Sequence, residues 1–169
     1  MRQISFLKLF SNLVIVTRMA STDAKLVLKE IEGDLFSAPK STSLAHCVGG
    51  DMGMGGGIAV VFKKVFGRVD ELLAQNIGTG GVAVLKDNDR YIYYLVTKDY
   101  SYQKPTYESL RASLDSMRKH MVANKVNNLA IPRIGCGIDG LEWDKVKHEL
   151  ETVFGPEEIN ITVYNFVPK

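Results

Sequence analysis

From Lys25 the chain alternates apolar and polar positions in KLVLKEIEGDLF and then meets Gly33-Asp34, which predicts a half-buried strand followed by a turn. SLAHCV is a short apolar run of strand length. The glycine cluster GGDMGMGGG comes next, and IAVVFKKVFGRVDELLAQ has the apolar spacing of a helix broken at Gly67. In VAVLKDNDRYIYYLVTK two β-rich runs flank Asp87-Asn88-Asp89, so an antiparallel hairpin is expected. Pro105 fits the first turn of a helix reaching about Val122, with Leu110, Leu114, Met117 and Met121 on one face. NNLAIPRI reads as a buried strand. A last helix runs from Leu141 to about Phe154, closed by Gly155-Pro156, and INITVYNF is a final alternating strand.

Six strands interleaved with helices predict an α/β domain whose mixed central sheet is flanked by helices on both faces. With 169 residues, 46% of them hydrophobic, there is material for one core and too little for a second. The domain is assigned to residues 23–169. Residues 1–22 carry Arg2, Lys8 and Arg18 and no acid, which suits an organelle transit peptide or, equally, an extension upstream of an internal start at Met19. Their apolar run is too short to span a membrane. A net charge of +2 without a Lys/Arg block argues against a dedicated nucleic-acid binder but leaves a nucleotide-sized ligand open. Cys47 and Cys136 have neither zinc-site spacing nor scaffold density, so reduced thiols are expected.

The candidate chemistry begins with IGCGIDG, residues 134–140, a literal G-x-G-x-x-G. A dinucleotide fingerprint should open the first βα unit, with an acidic residue about 20 positions on. Position 160 is Asn and little chain follows, so that reading fails. GMGGG is not a phosphate-binding P-loop either, because Ile58-Ala59 follow where Lys and Ser/Thr belong. What survives is simpler. Glycines let backbone N–H groups approach phosphate oxygens, and a following helix adds positive potential. Two such loops, 49–57 and 134–140, each after a strand, could hold a diphosphate between them, although glycines also serve tight turns.

GDLF, SLAHCV with MGGGIAVVFKK, YIYYLVTK, KPTYESL and IPRIGCGIDGLEW together resemble the terminal ADP-ribose protein glycohydrolase family of macrodomains, in unbroken order from about Lys25 to Phe166. The resemblance implies removal of ADP-ribose from acidic side chains of proteins and deacylation of O-acyl-ADP-ribose, without metal or cofactor. It implies ADP-ribosylated proteins and ADP-ribose as partners, a monomer without membrane association, and a nuclear and cytoplasmic setting in the DNA damage response. A mitochondrial location follows instead if the N-terminus is a transit peptide, and direct nucleic-acid binding stays open. A module that reads ADP-ribose without turnover would keep the same fold.

Carried over motif by motif, Lys98 is the expected nucleophile, forming a lysyl-ADP-ribose adduct, and Asp139 the proton-handling carboxylate. Asp34, with Leu35 beside it, would accept the adenine amino group. Arg133, Ile134, Gly135, Cys136, Gly137, Ile138 and Asp139 would cradle phosphates and distal ribose, Gly55, Gly56 and Gly57 would close the other side, and Phe166 would meet the adenosine. Read alone, Lys98 is an ordinary solvated lysine and Asp139 an ordinary turn residue; the resemblance gives them chemistry. His46 and Cys47 read as packed strand residues, Trp143, Met117 and Met121 as core, and Cys136 as no nucleophile, since no activating group is visible. One departure stands out: Gly49-Gly50 precede Asp51 where the family has a serine and an acid, so this loop is expected to be more mobile.

Overall fold

The computed structural model describes residues 25–168. The N-terminal extension 1–22 lies outside the described residues. Among the described residues six strands form one sheet in the order β1-β6-β5-β2-β4-β3. They are β1 (Val27–Glu32), β2 (Ser43–Gly49), β3 (Val82–Asp87), β4 (Arg90–Lys98), β5 (Asn128–Ile131) and β6 (Asn160–Asn165). All neighbours are parallel except β3 and β4, the hairpin expected around Asn88, which holds the turn at φ 52°. The carboxyl ends of β1, β6, β5, β2 and β4 therefore share one edge.

β2 and β4 run through the middle, and their nearly continuous apolar sequences are what a strand covered on both faces needs. On one face α3 (Tyr107–Ala123) and α4 (Trp143–Phe154) pack Leu110, Leu114, Met117, Val146, Leu150 and Phe154 against Tyr93, Leu95, Ile131 and Val163. An Arg111–Glu149 ion pair joins the two helices. On the other face α1 (Ile58–Phe66) and α2 (Val69–Ala74) bury Phe62 and Leu72 against Leu44, Ile92, Tyr94 and Val96. Gly67 separates α1 from α2 at φ 56°, as the sequence predicts.

Two elements differ from the sequence reading. Among the described residues β1 is a sheet edge and is mostly exposed, with Val27 at 52% and Ile31 at 40%, because only β6 pairs with it there. Pro105 stands before α3 and not in its first turn: Thr106 is the N-cap, its hydroxyl accepting from Ser109 N at 3.0 Å while Ser109 Oγ accepts from Thr106 N at 3.1 Å. The same Ser109 hydroxyl donates to Thr97 O at 2.7 Å, so the start of α3 is tied to the end of β4. Thr106→Ala should cost about 1 kcal/mol of stability, read from the urea midpoint at unchanged m-value; an unaltered midpoint would mean that the cap is redundant.

Candidate active site

The site begins with a fault in the sheet. β2 and β4 run in register up to Val48↔Val96, and the next pair is Gly49↔Lys98, so Thr97 is an extra residue on β4. A bulge of this kind re-aims the side chain that follows it. The Thr97 carbonyl is held by Ser109, and the bulge delivers Lys98 beside Gly49 at the carboxyl edge. There Lys98 Nζ donates to Asp139 Oδ1 at 2.8 Å, with the two side chains only 10% and 14% exposed.

A cleft of about 560 Å³ opens above this pair, walled by the two glycine loops. Residues 49–57 leave β2 and enter α1; residues 132–142 leave β5 and enter α4. Among the described residues the backbone N–H groups of Gly55, Gly56 and Gly57 on one loop, and of Gly137, Ile138 and Asp139 on the other, donate no hydrogen bond. Unpaired N–H groups on glycine loops that lead into helices are the donors from which an anion cradle is built. The Ile138 side chain, 65% exposed, reaches across to the first loop, where a Cβ on Gly56 would stand 2.8 Å from its Cδ1. Lys104 donates to the Ile138 carbonyl and Lys63 to the Gly53 carbonyl, one lysine steadying each loop.

The first loop is fixed more firmly than its glycines suggest. Asp51 accepts from Ser101 N at 3.0 Å, Ser101 Oγ at 2.5 Å and Gly53 N at 3.2 Å, bolting the loop to the segment after Lys98. Burial works to raise the Asp51 carboxyl, but these hydrogen bonds together hold it below the ordinary carboxylate range. At Gly49 a Cβ would meet Ser101 N at 2.7 Å, so glycine here answers a close backbone approach and not a need for mobility. The left-handed conformations in this loop fall on Met52 (φ 52°), Met54 (φ 48°) and Gly57 (φ 59°). Both methionines are buried, so tertiary packing supports backbone geometry that is uncommon for them.

Of the residues singled out from sequence, Lys98, Asp139, Gly55, Gly56, Gly57, Arg133, Ile134, Gly135, Gly137 and Ile138 line the cleft. Asp34, Leu35, Cys136 and Phe166 do not, and each for its own reason. Asp34 caps a 3-10 turn at the end of β1, its Oδ1 accepting from Phe36 N at 3.0 Å, and Leu35 is buried beneath it. Phe166, 69% exposed, follows β6. Gly33 N donates to Asn165 O at 3.1 Å, so Asp34 and Phe166 sit close to each other at the ends of β1 and β6. Cys136 turns its Sγ to the Ile134 carbonyl at 3.3 Å, and burial, partly offset by Arg133, raises its thiol to about 11. It is no thiolate nucleophile. The Arg133 side chain pairs with Glu30 and lies 5.7 Å from the Trp143 ring centroid, leaving its backbone to the loop.

Sequence reasoning missed Ser101 and Tyr102, which line the cleft from the β4–α3 loop. No motif marks them. His46 is packed as expected, 1% exposed and stacked on Phe62 at 3.7 Å between centroids, yet it also borders the cleft. Burial lowers its pKa to about 3, so the ring is neutral. Cys47, half-buried, is raised well above the usual thiol range by burial.

The fold and cleft define a known class. The macro domain family model matches residues 45–150, and the chain belongs to that family. It is 54% identical over 134 residues to the human protein named ADP-ribose glycohydrolase OARD1, covering 79% of this chain and 88% of that one. The bovine protein of the same name matches at the same identity and coverage. Among solved structures, the macrodomain of Thermus aquaticus DarG superposes with a TM-score of 0.72 at 24% identity, over 82% of this chain and 98% of that one, a likeness of fold.

A buried histidine that refuses a proton makes stability fall with acid. Below about pH 6.5 the unfolded chain takes up a proton that folded His46 binds only near pH 3, so stability drops as pH falls through that window and is complete above it. His46→Leu should reduce the acid slope of unfolding free energy by up to one proton, measured by urea titrations from pH 7 to 4; an identical slope would put another group in charge of it.

Proposed function

We propose that this macro domain is an ADP-ribose glycohydrolase that releases ADP-ribose from acidic side chains of proteins and deacylates O-acyl-ADP-ribose, with Lys98 as nucleophile and Asp139 as the proton-handling group. The observation that carries the reading is the Lys98–Asp139 contact of 2.8 Å on the cleft floor, a pair that a module merely reading ADP-ribose has no use for. The kinship with proteins named ADP-ribose glycohydrolase at 54% identity supports it.

The chemistry follows from the pair. An ammonium cannot attack carbon, so the Asp139 carboxylate first takes a proton from Lys98. The free amine attacks the anomeric carbon of the distal ribose; the N–C bond forms, the C–O bond to the ester breaks, and Asp139 returns the proton to the departing carboxylate. Asp139 then draws a proton from water, whose oxygen attacks the same carbon, the C–N bond breaks, and Asp139 reprotonates the amine. A carboxylate is a good leaving group, so the scheme routes no step through a metal or cofactor. The diphosphate takes its hydrogen bonds from the free N–H groups of the two loops, which stabilise charge without reorganising. Asp34 accepts the adenine amino group, and Phe166 covers the adenosine.

Release of labelled ADP-ribose from a glutamate-modified protein tests the reading. The wild type should release it, and Lys98→Ala should lose at least about 100-fold in rate, with free ADP-ribose still bound. Full activity in that variant would remove the nucleophile; binding without release by the wild type would make the chain a reader.

A further inference from the structure

The loop after Lys98 carries a feature that the reaction scheme does not use. Tyr100 and Tyr102 are 51% and 80% exposed, and their rings lie nearly parallel, 4° apart in plane and 5.6 Å between centroids. Neither ring belongs to a core cluster. Single exposed aromatics are common, but this pair is held in place. Gln103 N donates to Tyr100 O at 3.0 Å, and Tyr100 N to Gln103 Oε1 at 2.9 Å, closing the turn. Between the rings, Ser101 is bolted to Asp51 through both its N–H and its hydroxyl.

Topology gives the position of the pair along the cleft. Across the shared edge the strands end in the order β1, β6, β5, β2, β4. Asp34 follows β1, the anion-cradling loops follow β5 and β2, Lys98 ends β4, and Tyr102 comes just beyond it, lining the cleft. Ser101, between the two tyrosines, is bonded to Asp51 of the first glycine loop, so they stand on the β2–β4 side of the edge, with β5 and β6 between them and the strand that Asp34 follows. Tyr102 lines the cleft, and Tyr100, stacked on it, does not. Lys98 attacks the anomeric carbon from the cleft floor, so the group that leaves departs toward the open mouth, where the exposed Tyr102 stands.

The surroundings select a chemistry. Two exposed carboxylates adjoin the turn, Asp51 bonded to Ser101 within it and Asp99, the residue before Tyr100, bonded to Thr79. Tyrosine faces carry negative potential that attracts a guanidinium or ammonium, and nearby carboxylates deepen it. The same charges repel the phosphates of a nucleic acid.

We propose that Tyr100 and Tyr102, flanked by Asp51 and Asp99, form the leaving-group subsite for a polypeptide and favour a basic residue, arginine or lysine, beside the ADP-ribosylated acidic residue. The assignment rests on the reading of Lys98 as nucleophile, which fixes the direction of the substrate. It adds a determinant of substrate choice separate from the grip on ADP-ribose.

Binding tests it independently of turnover. Synthetic peptides bearing one ADP-ribosylated glutamate, with arginine, alanine or glutamate as its neighbour, are titrated against Lys98→Ala, which cannot cleave them, and against Lys98→Ala with Tyr102→Ala. The arginine peptide should bind the first variant about 2- to 5-fold tighter than the alanine peptide, the glutamate peptide more weakly, and the second variant should lose this ranking. Tyr102→Phe in place of Tyr102→Ala should keep the ranking, since the ring face and not the hydroxyl makes it. Free ADP-ribose, with no leaving group, is the control that both variants are folded. Equal affinity for all three peptides, a ranking that survives Tyr102→Ala, or a Tyr102-dependent preference for ADP-ribose linked to a nucleic-acid base would each overturn the proposal. Failure of the wild type to cleave any peptide would instead count against the hydrolase reading.

Discussion

The carboxyl edge of the sheet centres on one ion pair, Lys98 with Asp139, whose side chains are largely shielded from water. Two charges with little water access are costly to hold, and removing one partner leaves the other without its ion pair. Such a pair persists only where the backbone on both sides is over-determined. On the lysine side the constraint runs from the α3 capping box through Ser109 to the Thr97 carbonyl, and from the bulge to Lys98 itself. On the aspartate side it runs through Gly135, at φ 72°, whose carbonyl accepts from Leu141 N at 2.8 Å. The pair is thus the meeting point of two rigid elements, and its geometry is set before any ligand arrives.

The glycine loops owe their form to the same crowding. Gly49 is a glycine because Ser101 N passes where its Cβ would be, whereas at Gly56 the exposed end of the Ile138 side chain comes near. Asp51 then connects the first loop to the chain just after Lys98. A cleft built this way holds unpaired N–H donors and an amine–carboxylate pair in fixed positions. Preorganisation of this kind is what an enzyme needs, and a binding module can do without the second half of it.

Much of this was legible in the sequence. The six strands, the helical break at Gly67 and the hairpin at Asn88 follow from periodicity and turn chemistry. Lys98 and Asp139 became candidates only through resemblance, because strand-end lysines and turn aspartates are common. Three things could not be read. The bulge at Thr97 is a tertiary event, specified by Ser109 from another element. The exposure of β1 depends on its place at a sheet edge, which alternation does not reveal. The firmness of the Gly49–Gly57 loop depends on Asp51 meeting Ser101, 50 positions on in the chain, so a count of glycines points the wrong way.

The central claim is that Lys98 bonds to the anomeric carbon and Asp139 clears the adduct. Intact-protein mass spectrometry of Asp139→Ala after incubation with a glutamate-ADP-ribosylated peptide tests it directly, followed by peptide mapping. Without Asp139, Lys98 loses its proton to water and attacks slowly, but resolution, which needs the same carboxylate to activate water, is slower still. The account therefore predicts one added ADP-ribose, mapping to Lys98 and absent from Lys98→Ala carrying the same Asp139→Ala change. An Asp139→Ala protein that turns the peptide over at the wild-type rate, or an adduct on another residue, would contradict it.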